Sequence, residues 1–228
     1  MASYDLSHPI ESGMCVYPDT PPVRVEPTAT VEADGFRTTA IEIDSHAGTH
    51  LDAPAHMLAD GTTVDELPVE TFRFTARRVD CRPLDPRAAI GVETITAALD
   101  DGSADDGGVG DAVDLLVVQT GWDDHWGTDR YFNHPYLTRE AADWLAARGL
   151  HLGIDALNVD PTPTDAAASG EPTGYPVHHT LFSNDRLLIE NLRGLDRLPS
   201  RFELHAYPLA VRDGDAAPVR AVAVGDAT

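Results

Sequence analysis

The stretch Ser45-His-Ala-Gly-Thr-His-Leu-Asp-Ala-Pro-Ala-His56 places three histidines and an aspartate, His46, His50, Asp52 and His56, within eleven residues. Imidazole nitrogen and carboxylate oxygen together suit zinc, manganese or iron more than calcium or magnesium, which take oxygen donors. A helix would put His46 and His50 on one face through i, i+4 spacing. Gly48, Thr49 and Pro54 argue against a helix, and no glutamate adjoins the first histidine. The even positions 46, 50, 52 and 56 would share one face of a strand, but a straight strand would spread them over roughly 33 Å. Ligands of one ion must converge to about 2 Å from it. The segment therefore has to bend, and Gly48 and Pro54 are placed to let it. The expectation is a strand ending near Asp44 that runs into a curved, metal-binding loop. The alternative is a set of scattered polar histidines with an aspartate capping a turn.

Elements able to position such a loop can be read on both sides of it. Thr38–Asp44 alternates apolar and polar residues, as a half-buried strand does. Segment 72–79 is a weaker strand candidate. Segments 114–119, 151–155 and 186–190 are short apolar runs bounded by polar residues, typical of strands buried on both faces. Segments 202–211 and 219–224 supply two more. Helical patterning covers 138–149, with Thr138 as N-cap and Gly149 as the stop, and a shorter helix covers 93–99. Two stretches have loop composition, the acidic glycine-rich 100–111 and the proline-rich 160–174. The total predicts one α/β domain over residues 1–228, rich in strands and with too few helices for a doubly wound sheet.

Composition narrows the function classes. The chain has 38 acidic against 16 basic residues, all of the latter arginine, for a net charge of −22. That charge repels phosphate backbones and anionic membranes, so neither nucleic acid nor membrane is an expected partner. No apolar run approaches the roughly 18 residues needed to span a bilayer, and the N-terminus has no signal-peptide pattern, so a cytoplasmic location is expected. Cys15 and Cys81 cannot form a disulfide framework or a thiolate metal cluster. Trp122, Trp126, Tyr131 and Phe132 form an aromatic stretch that either walls a pocket or packs in the core. His8, His125, His134, His151 and His205 lack ligand-like spacing and read as structural or surface residues.

The run His46-x-Gly48-Thr49-His50-x-Asp52-x-Pro54-x-His56 resembles the signature of the cyclase family of metal-dependent hydrolases, which includes arylformamidases and isatin hydrolases. Further likeness lies in Asp5–Ile10, Val16–Pro18, Gln119–Trp122, Gly153–Asp155 with Asp160, His178-His179, Leu187–Leu192 and Pro218–Val222, covering nearly the whole chain. The resemblance implies a strand-rich α/β domain of the swivelling β/β/α type. It implies metal ligands at His46, His50 and Asp52, completed by a later histidine and a glutamate twelve residues beyond it. His178 and Glu190 have that separation, which selects His178 over His179. Glu190 also ends the apolar run Leu187–Ile189, a costly place for a bare carboxylate unless a cation compensates it. His56 is implied as the catalytic acid and base, and Tyr17 stands at a substrate-lining position that is often tryptophan in the formamidases. The implied cofactor is one or two divalent ions, zinc or manganese, with Asp52 and Glu190 able to bridge a pair. The implied activity is hydrolysis of a small-molecule amide, N-formylkynurenine to kynurenine and formate, with a metal-activated hydroxide as nucleophile. Hydrolysis of a cyclic amide, imide or lactone, or metal or ligand binding without turnover, are the alternatives. A homodimer or homotetramer is implied by resemblance alone.

Overall fold

The computed structural model describes residues 2–99, 109 and 112–225. In chain order the strands are β1 (Ala2–Asp5), β2 (Arg24–Ala29), β3 (Thr38–Glu42), β4 (His50–Asp52), β5 (Arg73–Asp80), β6 (Ala89–Ile90), β7 (Leu115–Gln119), β8 (Tyr136–Leu137), β9 (His151–Ile154), β10 (Leu188–Glu190), β11 (Arg201–His205), β12 (Ala216–Pro218) and β13 (Val222–Gly225). The α-helices are α1 (Val31–Asp34), α2 (Val92–Leu99), α3 (Arg139–Ala146) and α4 (Pro176–Phe182). Nine strands form one mixed sheet in the order β1-β13-β11-β5-β7-β9-β10-β4-β12. The four strands β5, β7, β9 and β10 run parallel at its centre, and antiparallel pairs flank them on both sides.

The central strands read as unbroken apolar runs because both of their faces are covered. Along β7, Leu116 and Val118 join the core shared with α2, α3 and α4. Leu115 and Val117 point the other way, to a second core built from Leu51, Phe74, Ala76, Ile189, Leu204 and Ala223. That second core draws on β4, β5, β7, β10, β11 and β13, so the sheet covers it by curling over it. The site-bearing strand β4 lies near one end of the curl, between β10 and β12. Its residue Leu51 faces the second core, which turns His50 and Asp52 toward the helical side.

Several expected elements shift. The strand expected at Thr38–Asp44 ends at Glu42 and pairs only with β2, in a hairpin where all five β3 residues are exposed. The alternating pattern there does not mark a buried face. Segment 202–211 stops as a strand at His205, shortly before Pro208, which has no N–H to give a ladder. Segment 219–224 becomes a strand only from Val222, in β13; β12 ends before it, at Pro218, and Val219 makes an isolated bridge with Pro208. The 138–149 segment forms α3, with the Thr138 side chain accepting from Ala141 N at 3.2 Å. Helix α4 escapes the sequence pattern, hidden behind Gly174 and Pro176 and only seven residues long. The 160–174 stretch is free of strands and α-helices. The 100–111 stretch lies outside the described residues, apart from Val109.

Candidate metal centre

The segment from His46 to His56 is not a plain curved loop after a strand. It is a tight turn, a three-residue strand in the main sheet and a turn of 3-10 helix. The Asp44 carboxylate accepts from His46 N at 3.0 Å, and its carbonyl accepts from Ala47 N. Gly48 then takes φ +68°, which a side chain would resist. Its carbonyl accepts a hydrogen bond from His50 Nδ1 at 2.8 Å. Pro54 opens the 3-10 turn that ends at His56. Gly61 packs so closely against that turn that a Cβ would lie 2.4 Å from the Pro54 carbonyl carbon.

Within β4, His50 and Asp52 are two residues apart and share a face. Glu190 on β10 is the cross-strand partner of His50, so it joins that face. His178 comes from the first turn of α4. Asp160 fixes that turn, its carboxylate accepting from Val177 N at 3.0 Å, His178 N at 3.1 Å and His178 Nδ1 at 2.7 Å. His50 and His178 each donate through Nδ1, so their Nε2 atoms are left as lone-pair donors toward the carboxylates.

These side chains converge. Asp52 Oδ1 lies 3.0 Å from His46 Nδ1 and 3.2 Å from His50 Nε2, while Asp52 Oδ2 lies 3.9 Å from His178 Nε2. Glu190 is 3.6 Å from His50 Nε2 and 3.7 Å from His178 Nε2. None of these approaches has hydrogen-bond alignment at His50 Nε2 or at either Asp52 oxygen, and all three atoms are buried without a partner. Such atoms are expensive to leave unmatched. A divalent cation would satisfy all three at once, so the residues fit a metal. His46, His50 and Asp52 form one donor set, and Asp52, His178 and Glu190 form another.

Burial raises Glu190 well above the usual carboxylate range, and the Asp52 charge adds to that push. Burial alone would raise Asp52 too, but the His50 and His46 imidazoles override it and hold it low. Burial disfavours charge on His46, yet Asp52 and Asp215 on its two sides push it up to about 11. Burial lowers His56, against the pull of Asp52, so this ring is neutral near pH 7.

The donors open on a cavity of about 410 Å³, which Tyr17, Met57, Leu157, Asn158 and Tyr175 also line. The hydroxyls of Tyr17 and Tyr175 meet at 3.3 Å. No arginine is among its lining residues. His179, the neighbour of His178, is exposed. The aromatic stretch does not line this cavity: Trp122 and Tyr131 are core residues, with Tyr131 Oη donating to Asn191 Oδ1 at 2.8 Å. Cys15 and Cys81 are pushed up by burial to about 11 and 12, so neither is a thiolate near neutrality.

Sequence reasoning missed Asp215, Ser45, Tyr175 and the role of Asp160. Asp160 and the Pro218–Val222 run stood among the segments of likeness, and Asp215 lies three residues before Pro218; no spacing signal ties it to His46.

A family model described as "Putative cyclase" matches residues 4–161. Kynurenine formamidase of Salinibacter ruber is 32% identical over 227 residues, covering 97% of each chain. Kynurenine formamidase of Bordetella avium is also 32% identical, covering 96% of each. Among solved structures, an isatin hydrolase bound to the product analogue thioisatinate superposes with a TM-score of 0.85 at 24% identity, over 98% of this chain and 92% of that one. A structure titled as a potential metal-dependent hydrolase with cyclase activity gives 0.73 at 29% identity, over 97% and 96%.

Proposed function

Since this chain belongs to the cyclase family, we propose that it is a metal-dependent amidohydrolase of the arylformamidase type, converting N-formylkynurenine to kynurenine and formate. The observation that carries the reading is the buried, unpartnered trio of His50 Nε2 and the two Asp52 oxygens, ringed by His46, His178 and Glu190. Two kynurenine formamidases at 32% identity over nearly full length support the substrate class.

His46, His50 and Asp52 would hold one ion, and Asp52, His178 and Glu190 would hold a second. The mixed nitrogen and oxygen donors favour zinc or manganese. When bound, a divalent ion there supplies Lewis acidity, polarising the amide carbonyl and acidifying a water. His56 stands beside the donors, its ring 4.1 Å from that of His46 and 5.7 Å from that of His178. Neutral near pH 7, it takes a proton from the attacking water and returns it to the departing nitrogen as the C–N bond breaks. Tyr17 and Tyr175 form an aromatic wall for the aryl ring, with Leu157 and Met57 as apolar lining beside them.

The second reading is ring opening of a neutral cyclic amide of the isatin kind. Among the described residues the lining holds no arginine, so no guanidinium awaits the carboxylate of an amino-acid substrate, which favours it. The chain is taken to act in the cytoplasm as one domain; among the described residues no helix is long and apolar enough to cross a membrane. The β2–β3 hairpin, with Phe36 and Ile41 each 58% exposed, supports a homodimer or homotetramer.

Metal analysis combined with hydrolysis of N-formylkynurenine and isatin, by wild type and His56→Ala, tests the whole reading. The expected result is a metal-loaded wild type that deformylates, and a variant that keeps its metal but loses at least ~100-fold in turnover. Ring opening without deformylation selects the second reading, and a metal-loaded protein without either activity ends both.

A further inference from the structure

Asp215 is the residue before β12, and its place is set by the sheet. Its carbonyl accepts from Ala53 N at 2.9 Å, which holds it beside the turn that carries His56. One of its carboxylate oxygens, Oδ2, lies 2.8 Å from His46 Nε2 and 3.2 Å from His56 Nδ1. The other, Oδ1, accepts from Ser45 Oγ at 3.2 Å. A carboxylate oxygen in this state only accepts, so both facing ring nitrogens must carry hydrogen. In a neutral ring, which is the form a bound cation requires of His46, the other nitrogen is then fixed as well. His46 is left with Nδ1, which lies 3.0 Å from Asp52 Oδ1, for a metal. His56 is left with Nε2 as its lone pair.

We propose that Asp215 is a positioning residue that sets two histidines with one oxygen, holding His46 in the Nε2–H form so that Nδ1 can ligate, and His56 in the Nδ1–H form so that Nε2 can accept a proton. The inference rests on the metal and proton-transfer roles proposed above for His46 and His56. Both halves follow from known physics: a hydrogen-bonded carboxylate fixes the tautomer of a metal-binding histidine and of a catalytic base. Ser45 closes the arrangement by occupying the second oxygen, so the carboxylate is oriented from both sides. Asp215 serves the pocket and not the core, its side chain being 42% exposed, so its replacement leaves the fold standing.

The test compares wild type with Asp215→Ala and Asp215→Glu, each saturated with zinc, and each also metal-free. Nitrogen-15 NMR of the histidine rings reads the tautomers directly. Wild type is expected to show His56 protonated at Nδ1 in both forms, and Asp215→Ala to shift it toward Nε2–H. Turnover of Asp215→Ala should fall about 100-fold or more, with KM within about threefold, as expected when a base is held in the wrong tautomer. Zinc should leave this variant about 10-fold faster in a chelator challenge, at unchanged stoichiometry. Asp215→Glu, which keeps an acceptor, should recover part of the turnover and the wild-type His56 tautomer. An unchanged His56 tautomer in Asp215→Ala overturns the proposal. So does the loss of one zinc equivalent at saturation, because Asp215 would then be a ligand. Failure of the underlying reading looks different, since wild type itself would then bind no zinc or turn over no amide.

Discussion

Asp52 and Asp155 are buried to the same degree, 1% and 0% exposed, yet their oxygens are spent in opposite ways. Asp155, just past the end of β9, accepts from Thr120 N at 2.7 Å, Thr120 Oγ1 at 2.6 Å and Gly121 N at 2.9 Å. It pins the turn that follows β7 to the end of β9, although burial pushes its carboxyl up to about 7. Asp52 has neither oxygen matched by a donor. Burial of an acid is therefore not in itself a functional sign. What separates the two regions is whether the protein supplies enough donors of its own, and around Asp52 it supplies imidazole lone pairs instead.

The largest expected effect strikes the unmatched acid. Asp52→Asn neutralises the carboxylate shared by both donor sets and replaces one of its oxygens with an NH2 group, so metal content and turnover should both fall to the assay floor. The urea midpoint of the metal-free protein should move less than in the Asp155 variant. An Asp52→Asn protein that retained metal and activity would break the comparison outright. Asp155→Ala should do the reverse: it strands two backbone N–H groups and a hydroxyl, costing about 3 kcal/mol in urea unfolding. Turnover of its folded fraction should stay within about threefold of wild type.

The third test uses a buried histidine away from the pocket. His134 is fully matched, Nδ1 facing Pro135 O at 2.8 Å and Nε2 facing Thr162 Oγ1 at 2.7 Å. Burial, first among the causes, drops it to about 4. Its ordinary value is about 6.5, so between pH 6.5 and 4 the unfolded chain binds a proton that the folded chain refuses. Stability from this group is full above pH 6.5 and is lost as pH falls through 4. Its share is about 3 kcal/mol. Urea titrations at pH 7 and 4.5 should show wild type losing more stability than His134→Gln does. Equal losses would mean that the His134 pocket admits the charged ring.

Much of this contrast was open to view in the amino-acid order, and part was not. His46, His50, Asp52 and His56 fall within one short run, so local spacing and the bend demanded by Gly48 and Pro54 were enough to bring them into view. Strands β7, β9 and β10 announced themselves as apolar runs because both faces are covered. Asp215 lies 159 residues from His56 and 169 from His46 along the chain. Only the pairing of β12 with β4 brings them together, and no local pattern encodes that pairing. Helix α4 was hidden for a related reason. Its seven residues begin at a proline two positions after a glycine, and its start is capped by Asp160 from the far end of the loop that precedes it. The exposed hairpin misled in the other direction, since its alternation marks no buried face.

Asp160 stands between the two cases, and the smallest effect tests it. Like Asp155 it is buried, 1% exposed, and its carboxylate is fully engaged. Unlike Asp155, one of its donors is the ring of His178, whose Nε2 faces Asp52 and Glu190. Asp160→Asn keeps an acceptor for the start of α4 but weakens the hold on His178 Nδ1. Metal affinity should therefore fall about tenfold, the lower end for a group acting behind a ligand. The urea midpoint should move less than in Asp155→Ala. A competition titration with a zinc chelator reads the first and urea unfolding of the metal-free protein the second. If Asp160→Asn changed only the urea midpoint, a matched acid would be structural even when it touches a ligand, and the boundary drawn between Asp52 and Asp155 would have to include it on the structural side. If it changed affinity alone, the division would run through the histidine ring, with one nitrogen belonging to the fold and the other to the metal.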